Sequence, residues 1–248
     1  MTELQSLSQT WNSLGQSNPM WAILTKSSGK EWNPAEFFRS GEEEIAAELS
    51  WVQSLGIDIA MGRALDFGCG LGRLTQPLAD HFQQAVGVDI AASMIEGARA
   101  SNRRGARCEF VHNEHDDLTI FDDGAFDFTF SHLVLQHMPP TLAERYMTEF
   151  VRVLKPGGTG YFQMTEYSRN PVKRFIMKHA PHEELYWLLR HGTRAPFQMH
   201  ARDLDEIVAV VTAAGAEVVG VRTRAYGAGK LWLDHRVVLR KPLSVTAE

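Results

Sequence analysis

The chain has 248 residues, 44% apolar and 22% charged. That suits one α/β domain with embellishments, or two small domains, with enough core to need no disulfide or metal staple. Its formal charge of −5 excludes a general nucleic-acid binder, which needs a cationic surplus against phosphate. No run approaches the ~18 apolar residues that span a bilayer. The N-terminus lacks a signal-peptide pattern, and two cysteines, Cys69 and Cys108, make no disulfide framework. The expectation is a soluble, cytoplasmic protein with no stable membrane insertion.

In chain order, the first forty residues read as irregular, with Trp11, Trp21 and Trp32 separated by Asn, Ser, Gly and Pro. A helix is predicted over 40–56, where Ile45, Leu49, Val52 and Leu55 recur at helical spacing, with Ser40 as N-cap and Gly56 as stop. Residues 1–56 thus form an N-terminal arm and capping helix, ahead of a main domain at 57–248. Alternation follows: strand "RALDFG", helix "RLTQPLADHF", strand "QAVGVDI", helix "SMIEGARAS", strands "RCEFVHN" and "AFDFTFSHL", and helix "LAERYMTEFVRVL". A "KPGG" turn leads to strand "TGYFQMTEY", then an insert at 167–200, helix "ARDLDEIVAVVTAAG", and two strands with no helix between them. Strands joined through helices make a mostly parallel, doubly wound seven-stranded sheet covered on both faces. The last two close it as an antiparallel hairpin at one edge. Ligands of such sheets bind beyond the carboxyl ends of the strands, where the order reverses.

The stretch "LDFGCGLGR" occupies that place after the first strand. Its glycines let backbone amides approach a ligand closely. It is not a phosphate loop, because Arg73, Leu74 and Thr75 follow Gly72 where Gly-Lys-Ser/Thr is required. A dinucleotide fingerprint places its last glycine where this chain has Arg73. Asp89 ends the second strand and can accept from both hydroxyls of a ribose. Asp116 and Asp117, before Leu118, can read an adenine edge together with backbone amides.

Together these stretches resemble the class I S-adenosylmethionine-dependent methyltransferases. "ALDFGCGLG" is similar to their first motif, "GVDI" to the acidic motif after it, "DDLTIFDDGAFDFTFS" to the next region, and "RVLKPGGTGYF" to a late landmark. The resemblance covers about residues 60–166 and implies a Rossmann-like fold binding S-adenosylmethionine, with S-adenosylhomocysteine as product. It implies that Asp66, Gly68, Gly70 and Gly72 cradle the methionine part, with Phe67, Cys69 and Ser131 beside them. Asp89 would hold the ribose near Ile90 and Met94, and Asp116, Asp117 and Leu118 would flank the adenine.

Methyl transfer to a hydroxyl is helped by a general base, and histidine suits that near neutral pH. The candidates lie beyond the fourth and fifth strands: His132 and His137 of "SHLVLQHMPP", with Gln136 between them, and Glu166 with Tyr167. Some ubiquinone-pathway relatives carry two glutamates where this chain has Leu133 and Gln136, so no metal is expected. The insert 167–200 holds six Arg or Lys against two Glu and reads as a lid. Its cations favour an anionic acceptor such as a carboxylate, phosphate or acidic glycan. The tryptophan-rich arm would cover the cofactor from the other side, through Phe37 and Phe38. The expected activity is methyl transfer to a small or medium-sized acceptor, at oxygen by preference. The rival readings are non-methyl chemistry or regulation on the same pocket, and a nicotinamide-dependent dehydrogenase.

Overall fold

A computed structural model of the chain describes residues 2–25, 31–179, 197–227 and 230–243. The main domain runs β1 (Arg63–Phe67), α4 (Thr75–His81), β2 (Gln84–Asp89), α5 (Ala92–Ser101), β3 (Cys108–His112), β4 (Phe126–Ser131), α6 (Pro140–Val153) and β5 (Leu154–Tyr167). It ends with α7 (Pro171–His179), α8 (Leu204–Ala213), β6 (Glu217–Tyr226) and β7 (Trp232–Arg240). One sheet has the order β3-β2-β1-β4-β5-β7-β6. The first five strands are parallel, and β7 inserts antiparallel between β5 and β6. The doubly wound sheet with an antiparallel hairpin edge is therefore as expected. "KPGG" is not a separate turn, because β5 already begins at Leu154; its pairing with β4 slips between Phe126 and Phe128.

The sheet is sandwiched as its apolar strands require. One face packs Leu78 and Phe82 of the α4 region and Ile95 of α5 against Phe128, Phe130 and Tyr161. The other packs Tyr146, Met147 and Phe150 of α6 and Ile207 and Val211 of α8 against Phe162 and Val237. The order reverses between β1 and β4, and their carboxyl ends part there to leave a cleft.

The N-terminal region differs from the expectation. It is helical: α1 (Glu3–Ser17), α2 (Pro19–Ile23) and α3 (Pro34–Ser54). Thr2 and Gln5 form a capping box, and Asn18 and Asn33 each cap a helix opening on proline, whose missing N–H costs nothing at that position. Ser40 is not a cap: it lies inside α3, and its hydroxyl bonds the Phe37 carbonyl at 2.7 Å. Helix α1 lies on α5, where Ser93 donates through its N–H and hydroxyl to Asn12, at 3.1 and 3.0 Å. A β-carbon on Gly15 would collide with the Ser93 hydroxyl, so glycine sets the close approach. Trp11, Leu14, Trp21 and Ile23 close over Ala91 and Met94.

Candidate functional site

The cleft between β1 and β4 holds a cavity of about 950 Å³, counted with its open mouth. Its floor is the turn after β1. Gly68 and Gly70 have φ of 73° and 53°, a region that L side chains avoid. Added β-carbons would strike Val134 at Gly68 and, at 2.6 Å, Ile23 Cδ1 at Gly70. Backbone is thereby bared to the cavity, the cradle that the expected cofactor needs. Gly72 faces away: a β-carbon there would lie 2.7 Å from Phe110 Cε1, so it serves the packing of the turn onto β3.

Asp66, the last residue but one of β1, is buried and accepts from the Thr75 hydroxyl at 2.5 Å. Burial pushes its carboxyl up to about 7, against the pull of Thr75 and Arg73. Such a carboxyl ionises readily once a cation arrives beside it. Asp89 accepts from the N–H of Gly70 at 2.8 Å and of Ala91 at 2.9 Å, tying the glycine turn to the start of α5. Burial raises its pKa, with those two N–H groups opposing. A carboxylate offers about four acceptor sites, and two remain for a diol. Phe67, Cys69, Ile90 and Met94 complete this side of the wall. The residues present fit the nucleoside-bearing, cationic cofactor expected from the sequence.

Four other residues expected at the cofactor lie outside the wall. Asp116 pairs with Arg145, and Asp117 accepts from the Thr119 hydroxyl at 2.7 Å. Leu118 is buried in the core, its N–H held by Glu149 at 2.7 Å. Ser131 is buried behind the site, bonding the Phe67 carbonyl at 3.2 Å. The wall takes Asn113 instead, whose side-chain amide donates to the Asp117 carbonyl at 2.7 Å. Tyr146 joins it, with its hydroxyl on the His115 carbonyl at 2.7 Å. Asn113 is the first residue after β3, one place beyond His112, the register partner of Asp89, and a polar residue at a strand's carboxyl end is the signal the sequence offered.

The opposite wall comes from the loop after β4. Leu133 stands at φ 61°, a strained conformation for a leucine that turns the chain sharply beside His132. The Leu133 N–H donates to Gln163 Oε1 at 3.1 Å, and Gln163 Nε2 donates to Gln136 Oε1 at 3.1 Å. Gln136 Nε2 then lies 3.1 Å from His137 Nε2, and His137 Nδ1 lies 3.0 Å from the Gln198 carbonyl. A carbonyl only accepts and an amide N–H only donates, so His137 is neutral with its proton on Nδ1. Burial pushes its pKa down to about 4. Both ring nitrogens are engaged, and the ring lines the cavity beneath Trp11, 5.3 Å between centroids.

His132 differs. Its Nδ1 stands 2.5 Å from Oε1 of Glu44 on α3, and Arg73 Nη2 stands 2.8 Å from the other oxygen. Among the described residues nothing bonds Nε2, and the ring lines the cavity. Burial pulls the Glu44 carboxyl upward, but His132 and Arg73 outweigh it and hold it at about 2.

Glu166 lies outside the cavity wall. It is buried within a polar cluster, 2.8 Å from His235 Nε2 and 3.3 Å from Arg174, which also pairs with Asp203. Phe37 is likewise outside: it packs on Trp32 and under Arg73, and Leu4, Leu7, Trp11, Ala22 and Ile23 are the arm residues in the wall. Of the insert, residues 180–196 lie outside the described residues. No helix among the described residues is long and apolar enough to cross a membrane.

A protein-family model described as a methyltransferase domain matches residues 64–158. The chain is 28% identical to the ubiquinone biosynthesis O-methyltransferase of Bordetella avium over 197 residues, 79% of this chain and 78% of that one. Magnesium protoporphyrin IX methyltransferase from Synechocystis PCC 6803, crystallised with bound SAH, has a similar fold at TM-score 0.63 and 17% identity, covering 96% of this chain and 99% of that one. The 4+2 cyclase SpnF matches at TM-score 0.67 and 16% identity, covering 97% and 96%. These two structures speak to the fold alone.

Proposed function

We infer the acceptor chemistry from one premise: this chain is a class I S-adenosylmethionine-dependent methyltransferase. The dehydrogenase reading falls with it. When bound, the cofactor would supply an electrophilic methyl carbon on a sulfonium, open to in-line attack by an acceptor atom with the neutral thioether sulfur of S-adenosylhomocysteine as leaving group. Gly68 and Gly70 offer backbone to it, Asp66 a carboxylate to its ammonium, and Asp89 acceptors to its ribose diol. Asn113 and Met94 are the wall residues proposed for the base.

The acceptor is proposed to be a hydroxyl on a largely apolar, small or medium-sized molecule. One observation carries this: His132 lines the cavity with Nδ1 set 2.5 Å from Glu44 and, among the described residues, with nothing bonded to Nε2. A neutral imidazole so placed takes the proton of a hydroxyl as its oxygen attacks. Besides His137, whose two ring nitrogens are already engaged, the acceptor-side wall is mostly apolar: Leu4, Leu7, Trp11, Leu133, Val134 and Met138. Its cation, Arg73, is engaged by Glu44, and the described cations of the insert lie outside the wall. This favours a neutral acceptor over the anionic one that the insert's composition suggested. The ubiquinone O-methyltransferase relative, named for methylation at oxygen, agrees with the choice. Alignment of the reacting atoms in a water-poor cleft supplies the larger share of the acceleration.

The test is a panel of phenols, aliphatic alcohols, amines and carboxylates, with S-adenosylhomocysteine release as readout. Hydroxyl acceptors should turn over, and His132→Gln should lower kcat about 10²- to 10⁴-fold. Turnover confined to amines or carboxylates, or an unchanged kcat in His132→Gln, overturns the reading. Glu166→Gln is proposed to act on stability alone.

A further inference from the structure

We propose that Glu44 is a positioning residue for His132, and that Arg73 determines which way it positions it. This rests on the general-base reading of His132. Glu44 is brought to the site by the close approach of α3: a β-carbon on Gly41 would collide with the Arg73 carbonyl, so glycine lets the helix lie against the turn. One helical turn on, Glu44 points its two oxygens at two different partners, His132 Nδ1 at 2.5 Å and Arg73 Nη2 at 2.8 Å. All three side chains are largely buried, with Arg73 at 2% exposure and His132 at 5%.

The chemistry of the partners fixes the protons. Two lone pairs cannot face each other at 2.5 Å, so against a carboxylate Nδ1 carries the hydrogen. In neutral His132 the basic lone pair is then on Nε2, the nitrogen left to the cavity. The N–H is not yet aligned on the oxygen, as is common before a substrate closes the site. Arg73 has donors only, so it can donate only to an oxygen of residue 44.

That last fact makes the assignment testable. In Glu44→Gln the side chain has one oxygen and one amide nitrogen. Arg73 claims the oxygen, which turns the amide N–H groups towards His132 Nδ1. The imidazole must then accept at Nδ1 and carry its proton on Nε2, with no lone pair facing the cavity. A ring held in the wrong tautomer is a poor base even though nothing has moved. In Glu44→Gln with Arg73→Met the oxygen is released and can return to His132, so the original tautomer should reappear.

The experiment is long-range ¹H–¹⁵N correlation of the histidine rings in full-length protein saturated with S-adenosylhomocysteine, with His132→Gln used to assign the signals. The wild type should show Nε2 as the unprotonated nitrogen of His132, Glu44→Gln should show Nδ1, and the double variant should revert. Melting temperature and S-adenosylhomocysteine affinity confirm that each variant is folded. With an acceptor from the panel above, Glu44→Gln should lose about 10²- to 10⁴-fold in kcat, and the double variant should recover part of it. An unprotonated Nδ1 in the wild type, or Nε2 left unprotonated in Glu44→Gln, overturns the proposal. If the tautomer switches as stated while His132→Gln keeps its turnover, Glu44 still positions His132 and the general-base reading alone fails.

Discussion

Ile23 of α2 lies against Gly70 so closely that a β-carbon on the glycine would stand 2.6 Å from its Cδ1. A side chain from the N-terminal arm thus rests on the turn proposed to cradle the cofactor. Leu4, Leu7, Trp11 and Ala22 extend the same roof. Deleting residues 1–32, which leaves the Asn33 cap of α3 in place, should weaken S-adenosylhomocysteine binding at least tenfold in calorimetric titration. Equal affinity in the truncated protein would show that the roof is irrelevant to the cofactor.

Asp89 has two duties, since it holds the N–H groups of Gly70 and Ala91 and is proposed to hold the ribose. Asp89→Ala strands both N–H groups and should cost about 1–3 kcal/mol in urea unfolding, besides abolishing micromolar S-adenosylhomocysteine binding. Loss of stability with unchanged affinity would leave it the structural duty alone.

Asp66 carries a pH signature. Its carboxyl is held up to about 7 in the fold against an ordinary 3.8. The folded protein therefore favours the protonated form, and stability is lost as pH rises from about 4 towards 7. Asp66→Asn removes that loss, so it should gain about 2–3 kcal/mol more over wild type at pH 8 than at pH 5. Its affinity for S-adenosylhomocysteine should fall at least tenfold, because the ligand's ammonium has lost its carboxylate. Identical gains at both pH values would show that Asp66 titrates normally.

His137 gives the opposite sign. Its pKa is pushed from 6.5 down to about 4 by burial, so the folded state resists protonation and stability is lost as pH falls through that window. Between pH 7 and pH 5 this amounts to about 2 kcal/mol, which should be missing from the pH dependence of His137→Leu in urea unfolding. An undiminished acid sensitivity in that variant would assign the effect to other groups.

The alternation of strands and helices was legible because each element of the main domain has its own period and punctuation. The glycine turn, Asp66 and Asp89 were legible for the same reason, being local to strand ends. Helix α1 was harder: Leu4, Leu7, Trp11 and Leu14 do recur at helical spacing, but among so many Ser, Gln and Asn that the stripe is thin. The start of α3 was hidden behind Asn33-Pro34, which reads as a turn until the cap is seen. Arg73 counted only as an obstacle to a dinucleotide. Its partner Glu44 lies on a separate helix, and no local pattern joins the two. The expected roles of Asp116, Asp117 and Leu118 were drawn from motif order, which does not say which side chains turn inward. Asn113 does, a few residues earlier.

The amide chain from Leu133 to Gln198 fastens the far end of the insert to the loop after β4, and the His200 N–H adds a bond to the Gln136 carbonyl at 2.6 Å. At the near end the Ser168 N–H bonds the Leu231 carbonyl at 2.8 Å. Two bonded posts therefore flank the residues between them. Exchanging the residues between them for those of another methyltransferase is expected to change which acceptors turn over while S-adenosylhomocysteine affinity stays as it is, because the bonds that hold the posts lie outside the exchanged stretch.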